Sequence, residues 1–212
     1  MSENPFTQVI NEILQGLVVQ LNGEIGPAIK EAGFDPYQNV ASGSKGIGVG
    51  TAHYSVNDLT GVSSVRFQDM VASNLTPSGN NLIGQLNFHA VLTDSLSATV
   101  SGDLHVAFLD PGISGNLRID GGILSGSANV QVSLTNDKLC ISSISDLNTQ
   151  FSYAGANIWI NNLGVLNYLL SPLENLVLDV AKGAIERLIS SQINSVVGDQ
   201  LTTLLPFCAS TT

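Results

Sequence analysis

The three histidines are the side chains best suited to bind a metal ion or to exchange a proton near neutral pH. They stand far apart in the chain, at His53, His89 and His105. The His and Cys ligands of a zinc site usually recur at short, regular spacings, which this sequence lacks. His89 and His105 also fall on the polar phase of alternating stretches. We therefore expect solvent-exposed histidines and no metal site.

No stretch of the sequence has the spacing of a nucleophilic or nucleotide-binding motif. The run Gly112–Gly115 begins like a Gly-x-Ser-x-Gly nucleophile turn but fails at the fifth residue. The run Gly46–Gly50 lacks the third glycine spacing of a dinucleotide-binding loop and precedes a strand-like stretch. The carboxylates are dispersed singly, so they form no acid–base pair that the sequence can place. The sequence predicts a protein that is not an enzyme and has no catalytic residues.

The two cysteines, Cys140 and Cys208, leave two alternatives open. They are either unpaired thiols, one in a strand and one in a tail, or a disulfide that ties the carboxyl-terminal tail to the sheet. In the chain-entropy model, closing such a long loop stabilises the fold by about 4 kcal/mol. Secretion would favour the disulfide, because oxidising compartments preserve such bonds.

The composition excludes several classes of protein. Hydrophobic residues make up 43% of the chain and charged residues 11%, the opposite of an intrinsically disordered balance. With 17 acidic and 7 basic residues the formal net charge is −10, which repels nucleic-acid phosphates and anionic lipid headgroups. No apolar run approaches the ~20 residues of a transmembrane helix. We expect no nucleic-acid partner and no transmembrane segment.

Two amphipathic segments at the ends of the chain predict long helices. The first, over 4–32, has Asn4 as its N-cap and Pro5 at its first helical position, and Gly26-Pro27 should kink or end it. The second, over 171–205, opens with a Ser171 cap and stops at Pro206. At about 1.5 Å per residue this helix would span roughly 50 Å, so an equally long surface must cover its apolar face.

The stretch 46–160 alternates apolar and polar residues with a period of two, as half-buried antiparallel strands do. Polar segments at 93–95, 110–112 and 136–138 predict turns between long strands, and Gly84, Gly102 and Gly126 predict bulges. We therefore predict one α+β module over 1–212, in which a long, highly curved antiparallel sheet wraps around the two amphipathic terminal helices as an elongated super-roll.

Three stretches give the chain a resemblance to a known superfamily. They are the first helix with its ending Phe34-Asp35-Pro36, the strand entry at 56–62, and the segment 158–163 that leads through 170–173 into the last helix. In these stretches the chain resembles the elongated lipid-binding superfamily of bactericidal/permeability-increasing protein, also called BPI/LBP-like or TULIP. It looks most like the single-module arthropod type of the mite group 7 allergens, and more distantly like takeout and juvenile-hormone-binding proteins.

The resemblance implies a carrier fold with an apolar cavity between the sheet and the helices. Members carry lipids or other hydrophobic molecules, and some act in innate immunity or hormone transport. Two features depart from these relatives. The antibacterial members are strongly basic whereas this chain is acidic, and the insect hormone carriers have an amino-terminal disulfide whereas this chain has no cysteine before Cys140.

The inward apolar faces supply the candidate cavity lining, and the alternative is that they form a fully packed core. From the helices the candidates are Leu14, Leu17, Leu21, Val177, Ile185, Leu188 and Ile189. From the sheet they are Leu86, Phe88, Val106, Phe108, Val130 and Phe151. Trp159, the single tryptophan, serves either the core or the ligand. A ligand tail of about 14 carbons would gain about 11 kcal/mol from burial before ordering costs.

The sequence, with this resemblance, predicts a secreted carrier of a hydrophobic small molecule: a fatty acid, phospholipid, terpenoid or carotenoid or retinoid pigment, with no other cofactor. Met1–Asn4 lacks the basic start and apolar core of a secretory signal, so we expect a form without its signal peptide. One alternative is a surface-active or structural protein whose helices leave the sheet at an interface. Another is an innate-immune binder of microbial lipid, which the net charge of −10 disfavours. The oligomeric state stays open.

Overall fold

The computed structural model describes residues 5–135, 138–161 and 163–208. The predicted cap at Asn4 and the first two residues of the turn at 136–138 lie outside the described residues.

Two long helices stand at the ends of the chain. Helix α1 comprises Pro5–Glu31 and continues through Pro27, so Gly26-Pro27 does not end it. Helix α2 comprises Leu170–Leu204, 35 residues that span about 52 Å. The predicted Ser171 cap is wrong: a short 3₁₀ helix, Gly164–Leu169, leads directly into α2, and Leu169 occupies the cap position without a side-chain hydrogen bond.

Within the described residues, ten strands form two antiparallel five-stranded sheets. In chain order they are β1 (Ala41–Gly46), β2 (Thr51–Thr60), β3 (Val65–Ser78), β4 (Asn81–Leu92), β5 (Leu96–His105), β6 (Gly112–Asp120), β7 (Ile123–Thr135), β8 (Lys138–Ser152), β9 (Gly155–Asn161) and β10 (Phe207–Cys208). Sheet 1 has the order β1-β2-β5-β6-β9, and sheet 2 has the order β10-β8-β7-β4-β3.

The two sheets are the two arms of one bent meander. Strands β2, β4, β6 and β8 each continue into the next strand, which belongs to the other sheet, across four short joints at 61–64, 93–95, 121–122 and 153–154. The segment 93–95 is therefore a joint between sheets, not the chain reversal that the sequence predicts. Its Thr93 and Asp94 backbone amides donate to Ser64 in the neighbouring joint, at 3.2 Å each. The bend is thus hydrogen-bonded from strand to strand.

Glycine serves the bend and the close packing, and one of the three glycines predicted to mark a bulge stands at one. Gly61 opens the first joint with φ = 95°, a conformation that other residues rarely adopt. Gly102 and Gly126 pair in regular register, so the predicted bulges there are wrong, whereas Gly84 stands opposite Asn74 and Leu75 of β3 at a register shift, so the bulge predicted there is confirmed. Gly126 lies against the Phe88 ring, where an added Cβ would stand 2.2 Å from the ring. The register shift at Gly84 lies between Ser73 and Thr76 of β3, where Asn74 has a positive φ.

The helices divide the molecule into two halves. In the sheet 2 half, α1 packs along β3 and ends beside the joint at 61–64, while the second part of α2, which contains Ser190, packs along β8. In the sheet 1 half, α2 packs against β9, β1 and β2, and its first turns lie beside Lys45 and Ile47. One continuous cluster of buried apolar side chains fills the concave side of both halves. The predicted α+β class, with a curved antiparallel sheet around two terminal helices, is confirmed.

Candidate functional site

In the sheet 2 half, α1 is fastened to the edge strand β3 by amide side chains. Asn22 accepts a hydrogen bond from the Phe67 N–H and donates one to the Phe67 carbonyl, both at 2.8 Å. About three turns earlier on the same helical face, the Asn11 Oδ1 accepts from the Ala72 N–H at 2.8 Å. These residues satisfy backbone groups of an edge that would otherwise be open to pairing with another chain. The position of α1 is thus set by directional bonds.

The second part of α2 is fastened in the same way to β8. The Ser190 hydroxyl accepts from the Phe151 N–H at 3.2 Å, and the buried Thr149 hydroxyl donates to the Ser190 carbonyl at 2.9 Å. Beyond the helix, Cys208 pairs with Cys140 across the β10–β8 ladder in a disulfide with an S–S distance of 2.03 Å. The predicted disulfide is confirmed, and it fixes the chain at the end of α2.

The first part of α2 meets sheet 1 through apolar contacts. Leu173, Val177, Ala181 and Ile185 are all buried there, one or two turns apart on one face. Across the described residues, the hydrogen bonds that join α2 to a strand all involve Ser190, outside this part of the helix. Apolar contact is not directional, so it holds the helix without fixing one position for it.

Strand β1 leaves one side of sheet 1 open. Gly43 and Lys45 occupy inward positions by their pairing with Tyr54 and Ala52, yet both are exposed. The phenol of Tyr54 extends beneath Gly43, and burial raises the pKa of this tyrosine above its ordinary value. The concave face of sheet 1 therefore reaches solvent beside β1.

A groove of about 310 Å³ lies between β1 and the first turns of α2. It is lined by Lys45, Gly46, Ile47, Pro172, Asn175, Leu176 and Asp179. Leu176 belongs both to this lining and to the buried apolar cluster, with 6% of its surface exposed. The floor of the groove is therefore the edge of the apolar interior, and a cation and an anion, Lys45 and Asp179, stand at its rim.

Several larger depressions lie on other surfaces, and two of them exceed 500 Å³. One of about 510 Å³ crosses β3, β4, β7 and β8 near Asn74 and Asn129 and is lined mainly by polar side chains. The other, of about 600 Å³, follows the seam between β8 and α2 near Ser190. The residues that line these two depressions are mainly of polar type.

Most of the predicted lining residues face the interior. Leu14, Leu17, Leu21, Leu86, Phe88, Val106, Val130, Phe151, Val177, Ile185 and Ile189 are buried, and Leu188 is half-buried against the core. Of these, Val106, Val177 and Ile185 belong to the sheet 1 half, and the others lie in the sheet 2 half or at the joints.

Two predicted lining residues point the other way. The Phe108 side chain is 92% exposed because β5 ends at His105 and the positive φ of Ala107 breaks the alternation. Trp159 is 51% exposed on the outer face, because Ile158 and Ile160 take the inward positions of β9. Placing these two aromatic rings in the interior is wrong.

One residue of the groove, Leu176, was not among the lining residues predicted from the sequence. Leu176 lies three residues after Leu173 and so shares its helical face, a spacing that marks it as inward.

In the described part of the chain, neither long helix is apolar enough over a sufficient length to span a bilayer.

No protein-family model matches the chain, and no curated protein matches it. Among solved structures, the chain is similar to Takeout 1 of Epiphyas postvittana, with 8% identity over 88% of this chain and 90% of that one, and a TM-score of 0.43. It is also similar to a lipopolysaccharide binding protein, with 16% identity over 90% of this chain and a TM-score of 0.45. The match covers 40% of that longer chain. The resemblance to mite group 7 allergens stays a prediction.

Proposed function

We propose that this protein is a secreted carrier that binds an elongated, lipid-like molecule in its sheet 1 half. The observation that carries the proposal is the apolar contact between residues 170–186 of α2 and the concave face of sheet 1. A hydrocarbon chain offers both surfaces the same kind of contact that they make with each other. Exchange of one apolar contact for another costs little free energy, because the hydrophobic effect is proportional to area and has no direction.

The fastened part of α2 makes such an exchange reversible. Ser190 and the disulfide hold the second part of the helix on β8. The first part moves away from sheet 1 to admit the ligand, and the protein stays folded. Each buried methylene of the ligand contributes about 0.8 kcal/mol, so a long tail offsets the cost of moving the helix.

The groove beside β1 is the proposed entrance. Its floor at Leu176 leads to the apolar interior, and the Lys45 ammonium at its rim suits a carboxylate or phosphate head group. Among the predicted ligands, a fatty acid or a phospholipid carries such a head group, whereas a terpenoid or a carotenoid-type pigment would bind through its apolar body. Secretion is part of the proposal, and the disulfide supports it because such bonds persist in oxidising compartments.

Native mass spectrometry of the protein from its source, followed by organic extraction, tests the carrier. We expect a reproducible added mass of a few hundred daltons that the solvent removes. A protein without cargo that also takes up neither fluorescent fatty acids nor retinoids would overturn the proposal.

A matched pair of variants tests the location of the ligand. Leu176 and Leu201 are both buried leucines of α2, 6% and 2% exposed, in the sheet 1 half and the sheet 2 half respectively. We expect Leu176→Gln to weaken binding of a fluorescent fatty acid about tenfold or more, a loss of about 1.4 kcal/mol. Leu201→Gln should lower the unfolding temperature and leave the affinity of the folded protein unchanged. Equal losses of affinity in both variants would place the ligand elsewhere.

A second candidate, a surface-active protein, rests on the same apolar contact. At an air–water interface the first part of α2 would leave sheet 1 and expose both apolar faces to the non-aqueous side. Surface tension measured at micromolar protein separates the two functions. A carrier that retains its cargo leaves the tension near that of buffer, whereas a surface-active protein lowers it without any ligand.

A further inference from the structure

His53, Asp103 and His105 meet on the outer face of sheet 1. Each offers one metal-ligating atom, and the three atoms lie within 4.8 Å of one another. The sequence-based expectation that the histidines are scattered is therefore wrong for two of the three. The rings of His53 and His105 also stand edge to face, with centroids 5.1 Å apart.

Strand pairing brings the three residues together. His53 of β2 stands directly opposite Asp103 of β5 in the antiparallel ladder. His105 follows Asp103 by two residues on the same strand, so its side chain emerges on the same face. That face is the polar one, opposite the buried Ala52 and Leu104. All three side chains are thus held by rigid strands and remain accessible to an ion from solvent.

A fourth residue orients His105. The Asp110 carboxylate is 2.6 Å from the His105 Nδ1, and the Asp103 carboxylate is 3.0 Å from Nε2. Asp110 comes from the turn between β5 and β6. A carboxylate on one ring nitrogen fixes the tautomer and aims the other nitrogen, an arrangement that commonly supports metal-ligating histidines. Here Nε2 is the nitrogen aimed at the cluster.

We propose that His53, Asp103 and His105 form a surface site for a divalent first-row transition-metal ion of the Zn²⁺ type, with Asp110 as the positioning residue for His105. Two imidazole nitrogens and one carboxylate oxygen suit Zn²⁺, Ni²⁺ or Cu²⁺ far better than Mg²⁺ or Ca²⁺, which prefer oxygen ligands throughout. Three protein ligands leave a coordination position to water or to a donor from another molecule. The site lies on the outer face, so it is independent of the proposed ligand compartment.

Calorimetric titration of the intact protein with Zn²⁺ tests the site. We expect a single ion per chain, and we expect His53→Ala and His105→Ala each to weaken binding about tenfold or more. Asp110→Asn should weaken it about 10- to 100-fold, as for other outer-shell carboxylates. His89→Ala is the matched control, because His89 lies on β4 of the other sheet and should leave the affinity unchanged.

Nuclear magnetic resonance of the unmodified protein gives a second measurement that depends on no variant. The imidazole signals of His53 and His105 should change together as Zn²⁺ is added, while that of His89 stays constant. Equal changes at all three histidines, or full Zn²⁺ affinity in a His53→Ala/His105→Ala double variant, would show diffuse binding to surface carboxylates and overturn the proposal.

Discussion

The two halves of the molecule hold the same helix by different means. In the sheet 2 half, α2 is fixed by Ser190 and by the Cys140–Cys208 disulfide, and amide side chains hold α1 on β3, the opposite edge of the same sheet. In the sheet 1 half, α2 is held by apolar side chains such as Val177 and Ile185. Directional bonds specify one position, whereas apolar contact tolerates several. The difference indicates where the fold can open without coming apart.

Removal of the Cys140–Cys208 disulfide in the sheet 2 half should have the largest effect on stability. We expect a Cys140→Ala/Cys208→Ala variant to lose about 2 to 4 kcal/mol of unfolding free energy, because the unfolded chain regains the entropy of an open loop. Denaturant unfolding, compared with the unmodified protein under oxidising conditions, measures the loss. An unchanged midpoint denaturant concentration would mean that the disulfide of the carboxyl-terminal tail does not help to hold α2 in place.

The amide contacts of α1 come next. Asn22→Ala should cost about 1 to 3 kcal/mol, because it leaves the Phe67 N–H and carbonyl without their partner in a partly buried place. Gln20→Ala, at an exposed position of the same helix, is the control and should change stability by less than about 0.5 kcal/mol. If the two variants unfold alike, the amide contacts do not fix α1.

Hydrogen exchange compares the halves directly. The amides of 174–186 should exchange about tenfold or more faster than those of 191–204, because local opening needs only the loss of apolar contact in the first segment. Bound fatty acid should slow the first segment and leave the second unchanged. Uniform protection along α2 would remove the distinction between the two halves.

The smallest expected effect is on the pKa of Asp120, which stands next to the joint at 121–122 between the two sheets. The Ser95 hydroxyl and the Arg118 side chain hold the pKa of the Asp120 carboxyl below its ordinary value of 3.8. A depressed folded-state pKa contributes stability above the unfolded value, and this is lost as pH falls through the folded value. In Ser95→Ala the pKa of Asp120 should rise toward 3.8, as followed by carboxyl resonances. An unchanged pKa would show that Ser95 does not hold this carboxylate.

Local patterns predicted a large part of this fold correctly. Apolar residues at helical spacing identified α1 and α2, and strict alternation identified the inward faces of β4, β5 and β7, where Leu86, Val100 and Val130 are indeed buried. The predicted inward positions of Phe108 and Trp159 were wrong. Strand β5 ends before Phe108, and Trp159 occupies an outward-facing position of β9. Where a strand ends, and which of its side chains face inward, depends on the following turn and on the neighbouring strand. The sequence of a single strand does not contain that information.

Residues far apart in the chain account for what the sequence reading missed. His53 and Asp103 face each other because β2 pairs with β5, across two intervening strands of the other sheet. Strands pair through backbone N–H and C=O groups, which nearly every residue carries. The sequence of either strand therefore does not indicate which other strand it will pair with. The site residues for an apolar ligand were easier to place, since burial alone marks a side chain as inward.

The sequence by itself determined the class of the fold, the two long helices, the faces that are buried and the availability of two cysteines for a disulfide. All of these follow from side-chain type at periods of 3.6 and 2, which the backbone geometry imposes locally. Only the tertiary structure decided that the long strands bend at joints into two sheets, that α2 is fastened on one and merely packed on the other, and that two histidines share one patch. Those features depend on register between distant strands, where the energy comes from packing and ladder geometry that no single segment contains.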